Sequence, residues 1–158
     1  WLGTDKALYL STDQDQALQR FGPDQGLADP RIRALHLGNQ SNLWVGTERG
    51  LYFGNAQRFA AAPGPATLEQ SFVMSITELR AGRFAVGTLD HGLFIGNERG
   101  FRQLSKREGL PFNTSFASIV DQGWLYVSST EGIYRIDLAQ LEQFQRDGQR
   151  VGVEMLTS

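Results

Sequence analysis

The chain has 158 residues, enough for one ordinary domain or for part of something larger. Its 15 Lys+Arg stand against 17 Asp+Glu, and the resulting net charge of −2 argues against a general nucleic-acid or polybasic membrane surface. The absence of Cys excludes disulfides, thiolate nucleophiles and Cys-based zinc or iron–sulfur sites.

The elements follow one another with a regular beat. Trp1-Leu2-Gly3-Thr4 reads as a strand, and Leu8-Tyr9 as its return after a tight turn. Gly22-Pro23-Asp24-Gln25-Gly26 is Gly-rich, but no Lys-Ser/Thr and no helix follows it, so it is not read as a phosphate loop. Ile32–Leu37 reads as a strand, and a polar turn over Gly38–Asn42 leads into Leu43-Trp44-Val45-Gly46-Thr47. Gly50 sits where the chain turns back with positive φ, Leu51-Tyr52-Phe53 returns, and Arg58-Phe59 gives a short fourth strand.

The pattern then repeats. Ala85-Val86-Gly87-Thr88 with Gly92-Leu93-Phe94, and Tyr126-Val127-Ser128-Ser129 with Gly132-Ile133-Tyr134, match the Trp1 and Trp44 segments. The starts at 1, 44, 85 and 126 are 43, 41 and 41 residues apart. Phe101–Leu104 is a fourth strand, and Phe116–Asp121 a first strand that turns at Gln122-Gly123. Asp137 can cap a helix over 138–146, which Gly148 can close, and its Leu138, Leu141 and Phe144 stripe packs on its own domain. Val151, Val153 and Met155 then alternate as a last strand.

Four short antiparallel strands per period of roughly 41 residues are the mark of a β-propeller blade. The expected fold is all-β, a propeller fragment of about four blades and fifteen strands, with one short helix inserted in the last blade. The expected divisions are a first blade lacking its inner strand over 1–30, then 31–70, 71–112 and 113–158, all one partial propeller over 1–158. Ser158 falls where a loop to a following blade would begin, so the sequence reads as an excerpt from a larger ring. The excess of Gly, 18 against the roughly 11 of average usage, is concentrated at repeat positions such as 3, 46 and 87.

The repeat resembles the two-component regulator propeller family: a Leu-Trp-hydrophobic-Gly-Thr strand, two residues, Gly-Leu and an aromatic, then a Gly-Leu-Pro-x-Asn loop and a hydrophobic strand ending in Asp. Leu43–Tyr52, Gly109-Leu110-Pro111-Phe112-Asn113 and Ile119-Val120-Asp121 carry the likeness, and Gly26–Pro30 is a weaker copy. Ala7, Ala85 and Ser128-Ser129 depart from it, and the loop before Phe72 lacks Gly-Leu-Pro. The resemblance implies the periplasmic sensor region of a membrane-anchored bacterial protein, with a histidine kinase or diguanylate cyclase as output. The function expected is non-catalytic ligand recognition. The alternatives are a protein-interaction scaffold and a propeller enzyme such as a polysaccharide lyase.

In a propeller the turns between second and third strands, and the loops between blades, share one face. Here that face would carry Glu48, Arg49, Asp90, His91, Thr130 and Glu131 from turns, and Asp29, Arg31, Phe112 and Asn113 from loops. Their mixed charge suits a small polar ligand or a protein loop. No cofactor, metal site or catalytic set is expected: the two histidines, His36 and His91, lack the spacing of a zinc site, and Asp90-His91 reads as a polar turn. Trp1 and Trp44 share a repeat position and are read as blade packing rather than as stacking surfaces. Asn39-Gln40-Ser41 and Asn113-Thr114-Ser115 match the N-glycosylation triplet only as short chance patterns. No stretch approaches the 18 or more apolar residues of a membrane span. An open arc leaves sheet faces and an edge strand exposed, so association of two arcs, or instability as a monomer, is expected.

Overall fold

The computed structural model describes residues 1–12 and 17–156; Ser158 lies outside the described residues. Four antiparallel sheets follow one another along the chain. The first has three strands, β1 (Leu2–Gly3), β2 (Leu8–Ser11) and β3 (Leu18–Phe21). The second holds β4 (Ile32–Leu37), β5 (Leu43–Thr47), β6 (Gly50–Gly54) and β7 (Phe59–Ala61). A short helix, α1 (Ala66–Glu69), precedes the third sheet, made of β8 (Val73–Arg80), β9 (Arg83–Thr88), β10 (Leu93–Asn97) and β11 (Gly100–Leu104). The fourth holds β12 (Ser118–Asp121), β13 (Trp124–Ser129), β14 (Gly132–Asp137) and β15 (Glu154–Leu156), with α2 (Leu138–Asp147) between its last two strands. Every sheet is a meander of hairpins in chain order, as propeller blades are.

Sequence chemistry explains the local geometry. Gly50, Gly92 and Gly132 close the equivalent hairpins at φ of 105°, 77° and 136°, values that L side chains rarely adopt. Asp137 caps α2, its Oδ1 accepting the Ala139 N–H at 2.8 Å, and Gly148 ends it in the left-handed region. Gln122 and Gly123 both take positive φ, 48° and 87°, in the two-residue turn between β12 and β13.

The core lies in three seams between neighbouring sheets. Leu8, Phe21, Val45, Tyr52 and Phe59 fill the first, where Trp1 packs against Phe21 and Phe59 at ring distances of 5.2 and 5.8 Å. Trp44, Leu51, Val86, Phe94 and Phe101 fill the second. Leu93, Ile95, Leu125, Val127, Tyr134 and Ile136 fill the third, and there Leu141 and Phe144 of α2 add their weight. Trp1 and Trp44 thus pack blade against blade, and the helix stripe packs on its own domain. Trp124 instead lies beneath the Arg135 guanidinium, 3.9 Å from its ring centroid.

Three details differ from the sequence reading. The last strand covers Glu154–Leu156 rather than starting at Val151. Val151 is drawn into the third seam, its N–H bonded to the Glu108 carbonyl at 2.9 Å, and Met155, opposite Tyr134, is left exposed. β12 starts at Ser118, because Phe116 and Ala117 pair irregularly around Ser128. The segment before Phe72, which lacks the family loop, holds α1.

Tight seams depend on one repeat position. A Cβ at Gly3 would run into Ile32, at Gly46 into Val73, and at Gly87 into Ser75 and Ser115. Ile32, Val73 and Ser115 all belong to the next blade, at or just before its inner strand. Gly46→Ala is therefore expected to destabilise by about 1–3 kcal/mol through overpacking, read as a shift in the urea midpoint with unchanged slope. Tyr134 offers a second check. It is fully buried, and burial pushes its phenol up to about 12 while the nearby Ser115 hydroxyl acts in the opposite direction. The unfolded phenol ionises near 10, so Tyr134 favours folding below about pH 10, and that contribution falls away as pH rises toward 12. Tyr134→Phe should flatten the alkaline limb of a stability–pH curve.

Candidate functional site

The hairpin turns that present side chains on one face share a hydroxyl clamp. Thr47 Oγ1 donates to the Gly50 carbonyl at 2.9 Å and accepts the Arg49 N–H at 3.1 Å. Thr88 Oγ1 donates to the Gly92 carbonyl at 2.7 Å and accepts the His91 N–H at 3.0 Å. Ser129 repeats the pattern with the Gly132 carbonyl at 2.9 Å and the Glu131 N–H at 3.4 Å. In the first sheet, where Ala7 stands for the turn Gly, Thr4 Oγ1 bonds both the carbonyl and the N–H of Ala7. The Thr of the repeat motif is thus the turn's own cap, and it leaves the intervening residues free to point outward.

Inter-blade loops hydrogen-bond to these turns. Glu48 N–H donates to the Arg31 carbonyl (3.1 Å), Gly50 N–H to Ser71 (2.8 Å), Leu89 N–H to Phe72 (3.0 Å) and Gly92 N–H to Asn113 (2.7 Å). The turns carrying Glu48, Arg49, Asp90 and His91 are therefore held beside the loops carrying Asp29, Arg31 and Asn113.

Two polar clusters stand on this face. In the first, Asp29 accepts from the Arg31 backbone N–H (2.9 Å), its Nε (3.0 Å) and its terminal nitrogen (2.7 Å). Glu48 lies 3.2 Å from Arg31 and also binds Arg33, which covers the Phe72 ring. Burial raises the Asp29 carboxyl, but the bonds and charge of Arg31 outweigh it and hold Asp29 below its ordinary value. In the second cluster, His91 Nδ1 meets Ser71 Oγ at 2.9 Å and Asp90 at 3.2 Å. This is not a nucleophile–base–carboxylate relay: serine and carboxylate address the same nitrogen, and the buried Ser71 is bonded to the Thr67 carbonyl. Asn113 is bound into its loop, its Oδ1 accepting the Lys106 N–H at 3.0 Å; Phe112 is half-buried, and Glu131 is exposed at the last turn.

A cavity of about 520 Å³ opens on this face beside the first cluster, lined by Gly26, Asp29, Arg49, Tyr52 and Glu69 among others. Arg49 and Glu69 form no ion pair among the described residues. Burial pushes the Tyr52 phenol up, and the Asp29 charge pushes the same way. The sequence offered no sign of Tyr52 or Glu69 here: Tyr52 sits at a core repeat position, and Glu69 belongs to the unanticipated α1. A second cavity, about 330 Å³, opens on the opposite face between the second and third sheets, beside Trp44, Phe53 and Phe84 with Asn42, Glu78 and Asn97. Next to it His36 pairs with Glu78 at 2.9 Å, and that bond pulls the Glu78 carboxyl down. Among the described residues no group of three or more His, Asp or Glu could hold a metal ion, and no helix is long and apolar enough to cross a membrane.

No protein-family model and no curated protein matches the chain. Solved structures do. The extracellular domain of a one-component system from B. thetaiotaomicron superposes with a TM-score of 0.74 at 21% identity, over 99% of this chain and 23% of that one. The fold is that of a β-propeller arc. The extracellular domain of a hybrid two-component system from the same organism matches with a TM-score of 0.65 at 21% identity, over 77% of this chain and 19% of its own. PorZ, a bacterial surface component of the type-IX secretion system of Porphyromonas gingivalis, matches at 0.61 and 17% identity, over 77% of this chain and 20% of its own. The arc therefore spans about a quarter of these structures or less. Two of them are extracellular domains of the signalling class to which the repeat motif pointed.

The Asp29–Arg31 pair gives this face a pH dependence. Asp29 favours folding above its unfolded pKa of about 3.9, and the contribution falls away as pH drops through its lower folded value. Asp29→Ala should lower stability at pH 7 by about 1–3 kcal/mol, and the difference should shrink as pH falls below about 3.9 and through the lower folded value, as followed by urea melts across pH.

Proposed function

We propose that the chain is a non-catalytic recognition segment of a sensory propeller, held outside the cytoplasm, in the periplasm, by a membrane-anchored bacterial signalling protein. The output is a histidine kinase or a diguanylate cyclase, as the motif resemblance implies. Support comes from the likeness to extracellular domains of one- and two-component systems. The observation that carries ligand recognition is the cavity holding an uncommitted guanidinium, Arg49, and an uncommitted carboxylate, Glu69, around the Tyr52 ring. Asp29 is occupied by Arg31 and shapes the wall.

Opposite charges flanking an aromatic suit a small zwitterion, its carboxylate on Arg49 and its ammonium on Glu69. Calorimetry and thermal shift with a panel of free α-amino acids test this reading. Binding by some members is expected, with a tenfold or greater loss in Arg49→Ala and in Glu69→Gln, roughly 1.4 kcal/mol each. Binding that both variants leave unchanged would remove the ligand from this cavity, and a gene with neither membrane span nor signalling output would remove the sensory role. The likeness to a secretion-system surface component favours a second reading, a scaffold binding a partner protein on the same face. Capture of a defined protein with no small-molecule response would support it. Turnover of an oligosaccharide by the chain would instead support a propeller enzyme such as a polysaccharide lyase.

A further inference from the structure

Three arginines gather at one point of the molecule around a single carboxylate. Arg80 and Arg83 stand directly opposite each other at the end of the β8–β9 hairpin, where Gly82 turns the chain at a φ of 77°. Like charges so placed weaken a strand pair. The fold does not ask for them: the equivalent turns pair Leu37 with Leu43 in the second sheet and Asp121 with Trp124 in the fourth. α2 reaches this spot from the fourth sheet, lying against β14 of its own sheet and β10 of the third. It brings Glu142, which binds Arg80 and lies 3.4 Å from Arg83, and it brings Arg146 from its last turn. The bond to Arg80 holds the Glu142 carboxyl below its ordinary value, and the charges of all three arginines act in the same direction. Among the described residues Arg80 and Arg83 have no carboxylate partner but Glu142, and Arg146 forms no ion pair.

The same residues line two adjoining cavities, at the end of the third sheet remote from the His91 turn. One, of about 320 Å³, is bordered by Arg80, Gly82, Arg83, Asn97, Glu142 and Arg146. The other, of about 240 Å³, shares Arg80, Arg83 and Glu142 and adds Leu79 and Leu138. A guanidinium carries more N–H donors than these contacts use: the Arg146 side chain bonds only Gln143, and the half-buried Arg83 has only its shared carboxylate. Three positive charges and one negative leave a surplus of two, and a phosphate monoester carries about −1.5 to −2 at pH 7. A planar carboxylate fills one fork, whereas tetrahedral phosphate oxygens take donors from several guanidiniums at once. We propose that this double pocket binds a small organic phosphate monoester, its phosphate on Arg83 and Arg146 and its apolar body over Leu79 and Leu138. The site shares no residue with the Arg49–Glu69 cavity, and its ligand bridges the third and fourth sheets.

Calorimetry at low salt with phenyl phosphate, inorganic phosphate and benzoate tests the proposal. Phenyl phosphate should bind with a dissociation constant below about 1 mM, and the other two roughly tenfold or more weakly. Arg83→Gln and Arg146→Ala should each weaken phenyl phosphate roughly tenfold or more. Glu142→Gln should tighten it about twofold or more, because the competing carboxylate is gone. Arg20→Ala, an exposed arginine on the first sheet, should leave it unchanged. Absence of phenyl phosphate binding would overturn the proposal. So would inorganic phosphate or benzoate binding as tightly as the ester, which removes the apolar body or the tetrahedral group, or an equal loss in Arg20→Ala, which marks general charge attraction. Thermal melts check that the variants fold; if Arg83→Gln does not, Arg83→Lys, which keeps the charge and loses the planar fork, replaces it with the same expected loss.

Discussion

Close approach of one blade's second strand to the start of the next blade is the constraint on which this arc depends. Gly3 and Gly46 leave room where any side chain would strike Ile32 or Val73 of the next blade, and a Cβ at Gly87 would strike Ser75 of its own sheet and press on Ser115 of the next. Because that approach is set by backbone, the side chains farther out in each seam can differ. The first seam is built on Phe21 and Phe59, the second on Trp44 with Phe84 and Phe101, and the third on aliphatic residues with Tyr134 and, from a helix, Phe144. The side-chain chemistry of the seams differs while the backbone approach recurs, as expected of cores that tolerate repacking.

The face described above as a candidate site inherits its order from these seams. Each inter-blade loop is tied by a backbone bond to a turn it passes, so turn and loop side chains are held at fixed separations. Asp29 gives up hydrogen-bonding capacity to Arg31, and Glu48 gives up its own to two arginines. On the other side of the cavity, Arg49 and Glu69 form no ion pair among the described residues.

Much of the fold was legible because its signals are local. The recurrence of Trp44-Val45-Gly46-Thr47 and its copies marked strands, turns and period, and Asp137 and Gly148 bracketed a helix that is found there. Signals that act between distant segments were not legible. The last strand was misplaced because Val151 is drawn toward Glu108, a partner 43 residues away that alternation cannot reveal. α1 went unseen because four residues carry too little periodicity to read. On the candidate site, spacing located the turns and loops in the sequence, but it could not show that Arg31 is already neutralised by Asp29. Nor could it show that Tyr52, ordinary by its repeat position, borders a cavity.

The hydroxyl clamp has a consequence for how such a surface can change over time. Thr47 spans to the carbonyl of Gly50, three residues on, and Thr88 spans to that of Gly92, four residues on, so the same fastening accepts turns of two lengths. The residues inside the loop contribute little to holding it shut. A lineage can therefore substitute, or even insert, at these tips without renegotiating the strands beneath. At these tips, unlike at Asp29 and Tyr52, the exposed side chains and the fastening are written in separate residues, and selection can edit the first while leaving the second alone.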